Sequence, residues 1–200
     1  MSGATIPDWI AAISTAVGSL AVVVGLFKAN SKISEAQNTA KQLRRSQVAE
    51  ELISLALSVE DALRDVRHPL TSIPLDRVKD PVFSYQQRLS RLASYDELFR
   101  KLRDAQIRVK ALVGNAKVDQ AVDSLFRARN QVVVSLQALA EYASLGSDEI
   151  NAQDREFKVT LRKTISGAGS ADDELGVEVA ASVKTIEIEL NPIARLEAQK

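Results

Sequence analysis

An uncharged segment near the N-terminus constrains the fold more than any other feature of this sequence. No charged residue occurs from Trp9 to Phe27, a stretch of 19 residues. As an α-helix this stretch is about 28 Å long, close to the roughly 30 Å hydrocarbon core of a bilayer. Trp9 and Phe27 stand at its two ends, where aromatic side chains favour the membrane interface. The segment therefore predicts a transmembrane helix.

Two other interpretations of this segment are less favoured than a membrane anchor. A cleaved signal peptide carries a basic region before its apolar stretch, and residues 1–8 contain no Lys or Arg. A helix at the surface of a core keeps one polar face, whereas this segment lacks charge on every side.

Basic residues after the segment predict its orientation. Within residues 28–45 five basic residues occur against one acid, Glu35. Because the positively charged flank of a span stays in the cytoplasm, the C-terminal bulk is predicted to be cytoplasmic, with the N-terminus outside the inner membrane. The same cations are expected to contact anionic lipid headgroups, at about 1 kcal/mol per residue near the surface. They are Lys28, Lys32, Lys41, Arg44 and Arg45.

One face of the predicted span carries only small residues, at spacings of three and four. Small residues let two helix backbones approach closely in lipid, where apolar side chains give no preference for protein over lipid tails. This face therefore predicts self-association through the anchor, and a homo-oligomer. The residues are Ala11, Ser14, Gly18, Ala21 and Gly25.

The rest of the chain reads as helix. Apolar residues recur at helical spacing from Val48 to the end, and the sequence has few Gly and Pro. The predicted fold class is all-α: residues 1–27 form a tail and transmembrane helix, 28–47 a juxtamembrane stalk, and 48–200 a four- to five-helix antiparallel cytoplasmic bundle.

Predicted helices beyond the first cover residues 83–113, 116–145 and a last segment that begins near Ser170. The segment 148–165 fits either a strand or a helix, and helix is preferred because no partner strand lies nearby. The expected inward residues of the bundle are Val48, Leu52, Leu55, Val59, Ala62, Val66, Leu92, Phe99, Leu102, Ala105, Val109, Leu112, Val118, Val122, Leu125, Val132, Leu136, Leu139, Ile150, Phe157, Leu161, Ile165, Leu175, Val179, Val183, Ile186, Leu190 and Ile193.

The composition excludes several kinds of chemistry. Without any Cys there is no thiolate nucleophile and no cysteine-bound zinc, and one His cannot make a multi-histidine metal site. No Gly-rich phosphate loop follows a strand. We expect no catalytic, cofactor or metal site. The single His68 stands at a predicted helix end, where its positive form complements the helix dipole.

Arg129 is the candidate buried charge of the bundle. It falls on the apolar stripe between Leu125 and Val132, so it needs a carboxylate or carbonyl partner. Arg129 followed by Asn130 on a bundle helix resembles the start of the HEPN ribonuclease motif. That motif continues to a His several residues on, and no His follows here. The resemblance implies a degenerate HEPN-like, RNA-binding or nuclease-related protein.

Nucleic-acid binding is not the favoured interpretation of the basic helix 83–113. Formal net charge of the whole chain is zero, and acidic residues such as Asp96, Glu97 and Asp104 are interleaved with the basic ones. A solvated helix face accounts for the pattern.

The sequence thus predicts a non-enzymatic, single-pass membrane protein that self-associates and presents its bundle to an unidentified cytoplasmic protein. A sharper form is an oligomeric membrane-perturbing or pore-forming effector. The alternatives are the membrane-tethered HEPN-like protein and a single-pass sensor. The plan of one span and a helical domain resembles small uncharacterised bacterial membrane proteins, including accessory proteins of defence loci with HEPN-like bundles.

Overall fold

The computed structural model of the chain describes residues 6–68, 73–145, 152–167 and 173–196. Within these ranges it describes the side chains from residue 32 onward, except those of residues 152 and 153. Within these ranges the regular structure is helical and there is no strand, so the predicted all-α class is confirmed. The helices are α1 (Ile6–Arg67), a short 3-10 helix (Leu75–Arg77), α2 (Phe83–Ser94), α3 (Asp96–Leu112), α4 (Ala116–Ser144), α5 (Ala152–Ser166) and α6 (Glu174–Ala194).

The chain divides into two compact units, Met1–Arg44 and Arg45–Lys200. In the first unit, every residue from 32 to 44 is exposed. The second unit is a helical bundle that begins three residues earlier than the predicted boundary at 48. Ser46, Val48 and Ala49 are already buried.

Helix α4 lies at the centre of the bundle. It packs against α2, α3, α5 and α6, and its residues Val122, Leu125, Val132 and Leu136 are fully buried. Its first turn is closed by Asn115, whose side chain accepts hydrogen bonds from the backbone N–H groups of residues 117 and 118. Gly114 precedes this cap at φ 71°, a conformation that favours glycine.

The predicted inward stripes are confirmed for nearly all of the residues named. The amphipathic pattern succeeds because each helix has one apolar face to bury. Leu55, Leu112 and Ile193 are only partly buried, and Ile150 lies outside the described residues. Phe157 is the one described residue of the set that is exposed. It lies at the side of α5, is 50 % exposed, and its ring meets the ring of Tyr142 edge-on, with 6.4 Å between centroids.

The predicted single helix 83–113 is wrong, because the structure has two helices that divide at Tyr95. With this division the described ranges contain six α-helices, where the sequence predicted a bundle of four or five. The hydroxyl of Tyr95 donates to Oδ2 of Asp65 on α1 at 3.1 Å. The pKa of Tyr95 is raised, mainly by burial and to a smaller extent by this bond. The break lets α2 and α3 each pack against α4 with its own apolar face.

The C-terminal helices differ from prediction in their ends. The segment left open between strand and helix is the helix α5. Helix α6 begins at Glu174 with Asp173 as its cap, later than the predicted start near Ser170, which lies outside the described residues. Helix α6 also continues through Pro192 to Ala194.

Among the residues whose side chains are described, no helix is both long and apolar enough to cross a membrane. The predicted span, 9–27, lies outside those residues. So do its small-residue face, Ala11, Ser14, Gly18, Ala21 and Gly25, and the first of the five cations, Lys28.

Candidate functional site: side chains of α1 and α2 at the ends of other helices

The most deeply buried charged group in the described part of the chain is Arg67, the last residue of α1. The residue is 3 % exposed. Its Nε donates to the carbonyl oxygen of Thr164 at 2.7 Å, and its two terminal nitrogens donate to the carboxylate of Asp173. A guanidinium bound in this forked geometry satisfies its donors and its charge together. Arg67 therefore joins the ends of α1, α5 and α6.

Asp173 serves two helices at once. Besides pairing with Arg67, its Oδ1 accepts the backbone N–H of Gly176 at 2.9 Å and so caps the first turn of α6. Gly167 fits closely beside the pair. A Cβ at that position would lie 2.7 Å from the carbonyl oxygen of Lys163 and 3.1 Å from Nη2 of Arg67. The close approach to the backbone of α5, and then to the ion pair, explains the glycine.

Arg88 of α2 binds the same helix end from another side. It is buried, and it donates to the carbonyl oxygens of Ile165 at 2.8 Å and His68 at 3.1 Å. Burial lowers the pKa of Arg88; the smaller effect of Tyr85 opposes this shift, and that of Arg91 adds to it. The unpaired carbonyls at the C-terminus of a helix carry partial negative charge, which two guanidinium groups neutralise at α5.

Residues near the start of the bundle close two more helix ends. Arg45 donates from Nε to the carbonyl oxygen of Leu112 at 2.8 Å, which is the last residue of α3. Ser46 donates to the carbonyl oxygen of Ala194, the last residue of α6, at 2.6 Å. Arg45 is one of the five cations predicted to contact lipid headgroups. Its side chain is exposed, and its Nε is bound to the carbonyl of Leu112.

These contacts share one chemistry, because side chains of α1 and α2 close the C-termini of α3, α5 and α6. They form two separate groups: Arg45 and Ser46 near the start of the bundle, and Arg67 and Arg88 near the end of α1. In each group, donors are bound to carbonyl or carboxylate oxygens and hold helix ends in place.

Arg129 lies in a second polar array, between α3 and α4. Its side chain is 27 % exposed and pairs with Asp96 at 2.7 Å, while its guanidinium carbon lies 5.1 Å from the ring centre of Phe99. A carboxylate or carbonyl partner is predicted for Arg129, and it is the carboxylate of Asp96, whose side chain is 61 % exposed. Arg129 thus packs over an aromatic ring at the edge of the core.

The same array continues along the two helices toward the turn between them. Arg103 stacks 3.9 Å above the ring centre of Phe126 and binds Asp123 at 3.0 Å. Gln106 is buried and donates to the same carboxylate at 3.2 Å. Partial burial raises the pKa of Asp123, but the bonds from Gln106 and Arg103 outweigh it and hold that pKa below its usual range.

The basic residues of α2 and α3 have acidic neighbours, which reduces the case for a nucleic-acid interface. Arg100 and Lys101 pair with Glu97, and Arg108 binds Glu51 at 2.7 Å. Lys110 binds Asp119 at 2.9 Å. A phosphate would have to compete with each of these carboxylates.

Three of the predicted lipid-contact cations lie in the described part of the first unit. Lys32 pairs with Glu35 at 3.7 Å, and Lys41 and Arg44 are exposed. His68 is exposed just after the end of α1, and its backbone carbonyl is one of the acceptors of Arg88.

Ligand-binding features are sparse in the described residues. They contain no group of three side chains able to hold a metal ion. A surface groove of about 720 Å³ lies between the α3–α4 turn and α6, where Lys117 and Asn115 bind the carboxylate of Glu189. The pKa of Glu189 is lowered by these two bonds, mainly by the one from Lys117.

Arg67 and Arg88 were not recognised from the sequence, where Arg88 was assigned to a solvated basic face. A signal was present in both cases. Arg67 follows Leu63 by four residues, and Arg88 lies four residues before Leu92, so each continues a buried stripe. The reasoning applied to Arg129 would have found both.

Comparison of the chain with protein-family models, with curated proteins and with solved structures gives no match.

Proposed function

We propose that this chain is a membrane-anchored, non-enzymatic interaction protein that self-associates through its N-terminal helix. The observation that carries the proposal is the uncharged segment from Trp9 to Phe27 with five cations in the residues directly after it. Nineteen uncharged residues match the thickness of a bilayer.

The cations give the proposal an orientation. Lys28, Lys32, Lys41 and Arg44 put an excess of positive charge on one side of the segment, and that side faces the cytoplasm. The bundle is therefore placed in the cytoplasm, and the anchor in the inner membrane.

The face formed by Ala11, Ser14, Gly18, Ala21 and Gly25 supports self-association. A pore is a further step of the same proposal, in which the spans surround a channel lined by the hydroxyls of Ser14, Thr15 and Ser19. The bundle then serves as the part that a cytoplasmic protein recognises.

The bundle supports an interaction role through its rigidity. Its buried polar groups described above hold helix ends, and Arg129 packs against Phe99 and Asp96, which gives that residue a structural role. A rigid helical domain offers a fixed surface at low entropic cost of binding.

The test is the behaviour of the full chain in membranes and detergent. We expect it to stay in the membrane fraction after an alkaline wash, and its detergent-solubilised particle to have the mass of more than one chain. Release by the wash would contradict the anchor, and a single-chain particle would contradict self-association.

A further inference from the structure

The exposed part of the stalk, residues 32–44 of α1, carries apolar side chains that nothing in the described structure covers. Ile33 is 57 % exposed and Leu43 is 49 % exposed. Ala36 and Ala40 lie between them and are also exposed. The spacings are three, four and three, which are those of the a and d positions of a coiled coil.

A helix with every residue in water has little to stabilise it. Most helical stability in proteins comes from packing of one face, and isolated helices of this length are marginal. The stalk also contains Ser34, Asn38 and Thr39, which are poor helix formers. Its helical state therefore calls for a packing partner along the apolar positions.

We propose that the stalk packs against the stalk of a second copy of this chain, as a parallel coiled coil in register. The proposal rests on the proposed function, because a shared membrane anchor sets both copies in the same direction and at the same height. The contact positions are Ile33, Ala36, Ala40 and Leu43.

The charges of the stalk are compatible with this pairing. In a parallel coil the flanking residue Lys32 meets Gln37 of the partner subunit, and Thr39 meets Arg44 of the partner subunit. Neither pair opposes like charges. Glu35 and Lys41 fall on the outward side, where water screens them.

Pairing with a second copy is confined to residues 32–44. One heptad step further, Gln47 is the next a position, and it is exposed. The following d position is Glu50, whose carboxylate would meet its own equivalent, and like charges at such a position are destabilising. The pattern thus favours contact up to Leu43 and opposes it beyond Gln47.

The contact is too small to hold two chains together by itself. Two half-exposed aliphatic side chains and two alanines cover far less than the roughly 800 Å² per partner of a stable complex. When two chains are anchored in one membrane, the effective concentration of one stalk near another is raised, and this allows the small contact to form.

Cross-linking of single-cysteine variants tests the pairing without background, because the chain contains no Cys. The variants Ala36→Cys and Ala40→Cys place a thiol on the apolar stripe. The controls Asn38→Cys and Gln42→Cys each lie two residues further on, on the opposite face of the same exposed helix. All four are made in the full chain, in membranes, and oxidised mildly, with equal maleimide labelling as the check of access.

We expect the two stripe variants to form disulfide-linked dimers several-fold faster than the two controls. Equal rates, faster linking of the controls, or no linking at all overturns the stalk pairing. The particle mass of the unmodified chain separates this failure from that of the proposed function. A multi-chain particle without stripe-specific linking leaves the anchor as the interface, whereas a single-chain particle removes both.

Discussion

Arg67 and Asp173 form a buried ion pair across 106 residues of sequence, and it fastens the end of α1 to the first turn of α6. The two side chains are 4 % and 13 % exposed. Because both charges have left water, removing one of them costs far more than breaking a surface pair.

Arg67→Met should therefore lower the free energy of unfolding by about 3–5 kcal/mol, since it leaves a buried carboxylate without its partner. Chemical denaturation of a fragment of residues 45–200, followed by its helical circular dichroism, measures the loss. Arg64→Met is the matched control, because Arg64 makes exposed pairs on the same helix and should cost about 0–1 kcal/mol. Equal losses in the two variants would mean that the buried pair contributes nothing special.

That fragment should be soluble and strongly helical, and its core should respond to truncation. Leu102 and Leu136 have no exposed surface, so Leu102→Ala and Leu136→Ala should each cost about 2–5 kcal/mol. Val134→Ala on the same helix as Leu136 should change stability by less than about 0.5 kcal/mol, because Val134 is 60 % exposed. A spectrum dominated by strand, or core variants as stable as Val134→Ala, would contradict this packing.

Acid should weaken the contact between α3 and α4. The pKa of Asp123 is held below its usual range in the fold, so its ionised form stabilises the bundle at neutral pH. That contribution is complete above the ordinary carboxyl pKa and disappears as the pH falls through the lowered one. Asp123→Asn should make the loss of stability between about pH 5 and pH 2 less steep, as followed by denaturation at each pH. An unchanged pH profile would show that Asp123 titrates alike in both states.

Gly18→Leu should dissociate the oligomer if the small-residue face is the interface, because a large side chain keeps two backbones apart. Particle mass in detergent is the measurement. Leu20→Ala, on another face of the segment, controls for lost apolar bulk and should leave the mass unchanged. If Gly18→Leu keeps both its mass and its place in the membrane fraction, assembly arises elsewhere.

Topology has an equally direct test. The cations from Lys28 to Arg45 should keep the bundle in the cytoplasm. A reporter that works only in the cytoplasm should be active when fused after Lys200. Activity of a periplasm-dependent reporter at the same position would reverse the orientation.

Helical periodicity predicted the core because an apolar stripe such as Val118, Val122 and Leu125 has to be buried against other helices. It did not predict the break at Tyr95. No Gly or Pro lies between Leu92 and Phe99, so neither of the strongest helix-stop residues marks the position. At the break, Tyr95 is bound to Asp65, thirty residues earlier, a contact that helical periodicity does not reveal.

The capping contacts could not be predicted from the sequence, for a different reason. Arg45, Ser46 and Arg67 bind backbone carbonyls that lie 67, 148 and 97 residues away. Every residue has a carbonyl, so no residue type identifies the acceptor. A buried arginine on an apolar stripe can be recognised, but its partner cannot.

The bond between Ser46 and Ala194 also has a consequence for the order of events during synthesis. Ser46 emerges from the ribosome long before Ala194, and the end of α6 can be fastened only after almost all of the chain has been made. Until then, the apolar face of α1 that includes Leu52 and Val59 lacks part of its cover. A mutation that slows docking of α6 would prolong the exposure of that face to other unfinished chains.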